Sequence, residues 1–174
     1  WNPNRTNMAV FNVSSSAELQ SALTTAQGNG SDDVIQIAQG TYVGNFVYAS
    51  TQANDLSILG GYSTDFNSRD VDAANTILDG NTDGRVLTLT TTNSAVNIDG
   101  IKLINGYTTD AGGGARIDSN YLTFNNNIVS KIFLTENIEE SPVNFTISNE
   151  RLIEGYKIAE EEKLKMVEIK KTKA

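Results

Sequence analysis

Two carboxylates, Asp79 and Asp99, end short apolar runs of the same form, Thr76-Ile-Leu-Asp-Gly and Val96-Asn-Ile-Asp-Gly, twenty positions apart. If the two runs are equivalent strands of neighbouring structural repeats, the acids stack at about 4.8 Å, the spacing of adjacent strands. Carboxylates that close can hold Ca²⁺, a hard cation that takes oxygen ligands, or work as an acid/base pair with pKa values driven apart. The plainer reading is that each Asp-Gly makes a corner by an Asx-type turn. Asp79-Gly-Asn-Thr-Asp-Gly84 also matches the first half of a calcium loop, with Asp79, Asn81 and Asp83 at positions one, three and five and Gly84 at six. Position twelve is Thr90 instead of the bidentate Glu, and a strand follows where that motif wants a helix, so a polar turn is the simpler account. Arg85 and Arg116 are candidates for a carboxylate clamp, because the guanidinium fork recognises a carboxylate bidentately. A solvated Arg closing a surface ion pair is the alternative for both. Tyr42, Phe46, Tyr48, Tyr62 and Phe66 flank turns, and a subset of them is a candidate stacking platform for sugar rings, against packing in a core or cap. Tyr62, Asp65 and Phe66 are the residues assigned to ligand binding.

The elements that must position these groups recur along the chain. Val34-Ile-Gln-Ile-Ala, Leu56-Ser-Ile-Leu-Gly-Gly, Thr76-Ile-Leu-Asp-Gly, Val96-Asn-Ile-Asp-Gly and Leu122-Thr-Phe-Asn-Asn-Asn start 22, 20, 20 and 26 positions apart. Each is a β-branched or aliphatic run closed by Gly, Asp or Asn, residues that supply positive φ or local hydrogen bonds at a turn. A unit of that size cannot bury its apolar face alone, so successive coils must stack on one continuous core. Within coils the pattern predicts strands at 34–38, 42–48, 56–60, 76–79, 85–91, 95–99, 101–105, 114–118 and 121–133. Asn105, Asn125, Asn126 and Asn127 are expected to form part of a ladder of amides from coil to coil. Residues 62–74 form a polar insertion too long for a simple turn, of the kind that projects from a binding face.

Ahead of the coils, residues 9–13 read as an opening strand and Ser15-Ser-Ala-Glu18 as a capping box. A helix should follow, with Leu19, Ala22, Leu23 and Ala26 on one face and Gly28-Asn-Gly30 at its end, suited to cover the open end of a stacked core. Beyond residue 130 the composition changes. Residues 1–130 hold eleven Asp, one Glu and one Lys, whereas 131–174 hold nine Glu, seven Lys and no Asp. Two parts are therefore expected: a β body over 1–130, and over 131–174 a strand near 143–148 followed by a charged helix, serving as cap, partner-binding element or foreign segment.

Composition limits the chemistry. The 174 residues contain no Cys and no His, which excludes disulfides, thiolate or imidazole metal sites and every Ser-His-Asp arrangement. A formal net charge of −8 argues against nucleic acid, whose phosphates need a basic surface. No apolar run is long enough to span a membrane. The first residue is Trp1, which fits a trimmed N-terminus, and Asn4, Asn12, Asn29 and Asn144 each begin an N-glycosylation triplet.

From Ala17 to Ser130 the chain resembles the N-terminal part of bacterial secreted right-handed parallel β-helix proteins of the pectin-lyase-like superfamily. The phrases that carry the resemblance are Glu18-Leu-Gln-Ser-Ala-Leu, Asp33-Val-Ile-Gln-Ile-Ala-Gln-Gly-Thr-Tyr, Ile58-Leu-Gly-Gly-Tyr, Thr76-Ile-Leu-Asp-Gly-Asn, Val96-Asn-Ile-Asp-Gly-Ile-Lys-Leu-Ile-Asn-Gly and Gly112-Gly-Gly-Ala-Arg-Ile. The resemblance implies an all-β solenoid, a right-handed parallel β-helix with an N-terminal capping helix, followed here by a strand and helix tail. It also implies secretion or display at a cell surface. Activities in that superfamily range from polysaccharide lyases and glycoside hydrolases to adhesins and passive stalks, and its lyases pair an Arg with Ca²⁺-binding acids, which implies Arg85 or Arg116 as a lyase-type base or a clamp on uronate. The expected function is a non-catalytic structural or adhesive module that meets a surface glycan or protein. The alternative is a fragment of a lyase or hydrolase using Asp79, Asp99, Arg85 and Arg116. Self-association through the open coil end or the C-terminal helix is a third expectation.

Overall fold

A computed structural model of the chain describes residues 7–109, 112–130, 133–134 and 146–147, the last two pairs as backbone only. Strand β1 (Met8–Val13) leads into helix α1 (Ser16–Ala26). Ser15 caps the helix by accepting the Glu18 N–H at 3.3 Å, while the Glu18 carboxylate reaches back to the N–H of Ser14 at 2.8 Å. Those contacts hold the exposed Glu18 carboxyl below the usual range, mainly through the Ser14 N–H. Leu19, Ala22, Leu23 and Ala26 are all buried, as their helical spacing predicts.

Strands β2 (Asp32–Ala38), β3 (Gly40–Val43) and β4 (Phe46–Ser50) follow, then β5 (Leu56–Tyr62), the insertion with a 3₁₀ turn at Ala73–Asn75, β6 (Thr76–Asp79) and β7 (Leu87–Thr91). Next come β8 (Ala95–Asp99), β9 (Lys102–Ile104), β10 (Tyr107–Thr108) and β11 (Ala115–Asp118). The described part closes with β12 (Tyr121–Asn125), β13 (Ile128–Ser130), β14 (Phe133–Leu134) and β15 (Thr146–Ile147). The protein is mostly β, with strands that visit three parallel sheets in rotation: β1-β2-β5-β8-β12, β3-β6-β9-β13 and β4-β7-β11-β15. A two-stranded parallel pair, β10 with β14, stands beside them.

Register makes the core. In the first sheet Phe11, Ile35, Ile58, Ile98 and Phe124 stand in one ladder row. The second sheet aligns Tyr42, Leu78, Leu103 and Val129, and the third aligns Tyr48, Leu89 and Ile117. These side chains alternate with half-buried or exposed ones along each strand and join or pack against a single apolar cluster. Helix α1 closes one end of it. The Gln20 side chain accepts the Val47 N–H and donates to the Val47 carbonyl, both at 3.0 Å, so its amide supplies the outer partner that β4 otherwise lacks.

Three sequence expectations change. The run expected at 42–48 is two strands, because Gly44 at φ +152° turns the chain between second and third sheets. Likewise 121–133 divides at Asn126 and Asn127 into β12 and β13. The repeat is also not twenty residues: first-sheet strands begin at 32, 56, 95 and 121, and the Thr76 run belongs to the second sheet. The insertion lengthens the second passage through the three sheets, so that a second-sheet strand falls where a twenty-residue period expects a first-sheet one. In the tail, Thr146–Ile147 pairs in parallel with Arg116–Ile117, within the strand expected near 143–148; the helix expected beyond it lies outside the described residues.

Candidate functional site

Because of that longer passage, Asp79 and Asp99 do not stack. Asp79 is aligned with Val43 and Ile104 at the corner between second and third sheets, and Asp99 with Leu59 and Asn125 at the corner between first and second. Each accepts an Asn amide at its own corner. Asp79 Oδ1 accepts the Asn81 N–H at 2.8 Å, closing an Asx turn, and the Asn105 amide at 2.9 Å from the turn after β9. Asp99 Oδ1 accepts the Asn126 amide at 2.7 Å. Asn105 and Asn126 both sit at φ +52°, the left-handed region that Asn tolerates. The ladder expected of Asn side chains is thus an Asp-to-Asn contact repeated at two corners. Asn127 is different: fully buried, it accepts the Ile101 N–H and donates to the Ile98 carbonyl, each at 2.9 Å.

The half calcium loop is a tight polar turn. Asn81 and Thr82 both have positive φ, and the Asp83 N–H donates to the Gly80 carbonyl at 3.0 Å while the Asp83 side chain is exposed. Among the described residues no three acidic side chains are grouped as metal ligands. Arg85 is half-buried and donates from Nε to the Gly112 carbonyl at 2.8 Å, tying the approach to β7 to the approach to β11. Arg116 points outward from β11 and is exposed. Neither is brought beside Asp79 or Asp99 by the contacts described.

The aromatic candidates separate cleanly. Tyr42, Phe46 and Tyr48 are buried in the core, and the Tyr42 hydroxyl donates to the Ala38 carbonyl at 2.8 Å, with its pKa pushed up to about 12, chiefly by burial. Tyr62 and Phe66 remain half-exposed, their ring centroids 6.2 Å apart at 36°. They belong to the insertion, which interrupts the corner between first and second sheets. Inside it the Ser63 hydroxyl donates to Asp65 at 2.6 Å, the Asn67 amide donates to the same carboxylate at 2.8 Å, and the Ser63 N–H donates to the Ser68 carbonyl at 2.9 Å. These donors, with the Ser63 hydroxyl foremost, lower the Asp65 pKa to about 2. Asp65 therefore organises the loop from within while remaining solvent-accessible.

Arg69 is the residue that sequence reasoning missed. Its guanidinium lies 5.6 Å from the Tyr62 ring centroid, donates from Nε to the Gly60 carbonyl at 2.8 Å, and bonds both the Asp99 carboxylate at 2.7 Å and the Asp99 carbonyl at 3.0 Å. One side chain thereby holds the insertion to β5 and β8 and braces an aromatic ring. Glycine permits the close approach: a Cβ on Gly61, which sits at φ +89°, would lie 1.8 Å from the Asp70 carbonyl oxygen, and one on Gly60 would lie 2.3 Å from the Gly100 oxygen. What results is a small, internally bonded loop that leaves Tyr62 and Phe66 half-exposed beside a braced cation. No protein-family model, curated protein or solved structure matches this chain.

Proposed function

We propose that the chain is a right-handed parallel β-helix, secreted or displayed at a cell surface, that works as a non-catalytic adhesive module binding a glycan through the insertion at 61–75. Rotation of the strands through three parallel sheets supports the architecture, and right-handed crossovers are the general rule for parallel strands. The observation that carries the function is the Arg69 brace, which fixes Tyr62 and Phe66 on a loop tied to β5 and β8. Rigid aromatic faces rimmed by polar groups suit sugar rings, which offer apolar C–H faces and hydroxyl edges. Asp79 and Asp99 support this reading over a lyase or hydrolase, since each carboxylate is already engaged by structural hydrogen bonds, Asp79 from Asn81 and Asn105 and Asp99 from Asn126 and Arg69, and they occupy different sheets. A glycan microarray probed with the parent chain and with a Tyr62→Ala/Phe66→Ala variant tests the proposal. Binding that the double variant loses while its circular dichroism is unchanged is the expected result; a parent that binds nothing, or a variant that binds equally well, rejects it.

A further inference from the structure

Strand β1 ends the first sheet, and the alternation of its backbone leaves one side open. The Asp32 N–H donates to the Asn7 carbonyl at 3.1 Å, so residues 7, 9, 11 and 13 address β2 while the N–H and C=O groups of Met8, Val10 and Asn12 face away from it. Among the described residues nothing pairs with those outward groups. The contrast with β4 is direct, because there the Gln20 amide covers the edge. The strand itself, Met-Ala-Val-Phe-Asn-Val, carries no charge, Pro or Gly, and so none of the devices that usually discourage edge pairing. Met8 is 67% and Val10 49% exposed on its outward face.

We propose that β1 pairs antiparallel with β1 of a second copy across a twofold axis at Val10. A chain of net charge −8 meets a copy of itself most easily on an uncharged segment, and an isologous contact needs one self-complementary patch. The outward groups satisfy that condition: Val10 exchanges two hydrogen bonds with its counterpart, and Met8 exchanges two with Asn12 at either end. Opposed side chains then share a face, which places Val10 against Val10. The two first sheets become one, and the insertions of the two copies are presented together, so a weak glycan contact gains avidity.

The contact is small and falls in the weak, concentration-dependent class. Light scattering on a sizing column, with parent chain loaded up to about 1 mM, should give a mass rising toward twice that of the monomer, and Val10→Pro should hold it at the monomer value. Proline there removes an outward donor and leaves the β1–β2 ladder bonds in place. Because the chain has no Cys, a second measurement covers the case in which the proline variant misfolds. Opposed hydrogen-bonded residues lie about 5.5 Å apart at Cα, within disulfide range. Val10→Cys should therefore cross-link on mild oxidation much faster than Val47→Cys, which is exposed on another sheet. A parent that stays monomeric at every concentration, masses that grow beyond the dimer, or equal cross-linking of the two Cys variants would overturn the proposal. A strand from residues 1–6 or from another protein on this edge would yield the first or last of these.

Discussion

Arg69 and Asp99, thirty positions apart, meet at 2.7 Å between side chains that are only 22% and 16% exposed. The contact joins the insertion to the corner below it, where Asp99 also receives Asn126. Removing the Arg leaves a largely desolvated carboxylate with one fewer donor, and hydrogen bonds to charged groups contribute about 1.5–3 kcal/mol. Arg69→Ala should lower unfolding free energy by that amount in urea titration, and Arg69→Lys should recover only part of it, since an ammonium cannot bond Gly60 and Asp99 in the same fork geometry. An unchanged midpoint for Arg69→Ala would show that the brace is dispensable.

Gly61 is intolerant for two reasons, its positive φ and the Asp70 oxygen 1.8 Å from any added Cβ. Gly61→Ala is expected to cost more than about 2 kcal/mol. Gly28→Ala, with nothing within 4 Å of the new methyl, should lie near the parent. Thermal melts of the two variants side by side check this, and equal melting temperatures would contradict the described loop closure.

Asp79 acts as a turn acceptor for Asn81 and Asn105. Asp79→Ala should destabilise by about 1–2 kcal/mol, with Asp79→Asn milder because it keeps an acceptor oxygen. Added calcium should leave the melting temperature of the parent unchanged. A calcium-dependent rise that Asp79→Ala abolishes would restore the metal-binding reading of Asp79, Asn81 and Asp83.

Two of the perturbed acids, Asp65 and Asp33, move stability in opposite directions with pH. Asp65 has its folded pKa depressed to about 2, so its contribution to loop order is present above the ordinary carboxylate range and is lost as pH falls toward 2. A carboxyl-carbon NMR titration should place its midpoint near that value; a midpoint in the ordinary Asp range would mean the Ser63 and Asn67 bonds do not persist in solution. Asp33 is buried with one carboxylate oxygen unpartnered among the described residues, and burial raises its pKa. Its folded form binds its proton more tightly than the unfolded chain, so stability falls as pH rises from the ordinary carboxylate range through the raised pKa. Asp33→Asn should therefore melt higher than the parent at pH 7, with the advantage fading in acid, and an Asn variant that is less stable at pH 7 would contradict this.

Much of the fold was legible in local pattern. Alternation in Val34-Ile-Gln-Ile and Leu87-Thr-Leu-Thr marks half-buried strands, and the Ser15 cap with apolar residues at helical spacing marks α1. Which strands align was not legible, because Thr76-Ile-Leu-Asp-Gly and Val96-Asn-Ile-Asp-Gly look alike whether they share a sheet or not. Register depends on the length of the intervening loop, and the insertion before Thr76 moves that run to another sheet. Tyr62 and Phe66 could be picked out because they are aromatic residues in a long polar segment. Arg69 could not, since its partner Asp99 is thirty residues away and neither residue sits in a phrase that announces a pair. A sequence signal did exist in the cation within an otherwise acidic loop, flanked by Asp65, Asp70 and Asp72.

The most direct test is a calorimetric titration of the strongest glycan from the array into the parent chain and into Tyr62→Ala/Phe66→Ala, with the glycan recovered afterwards and its length measured. Saturable binding by the parent, at least about tenfold weaker in the double variant as expected for lost aromatic anchors, and an intact glycan are the expected result. Shortened glycan whose production stops in a folded Asp79 or Asp99 variant would contradict a non-catalytic module and assign those carboxylates to chemistry.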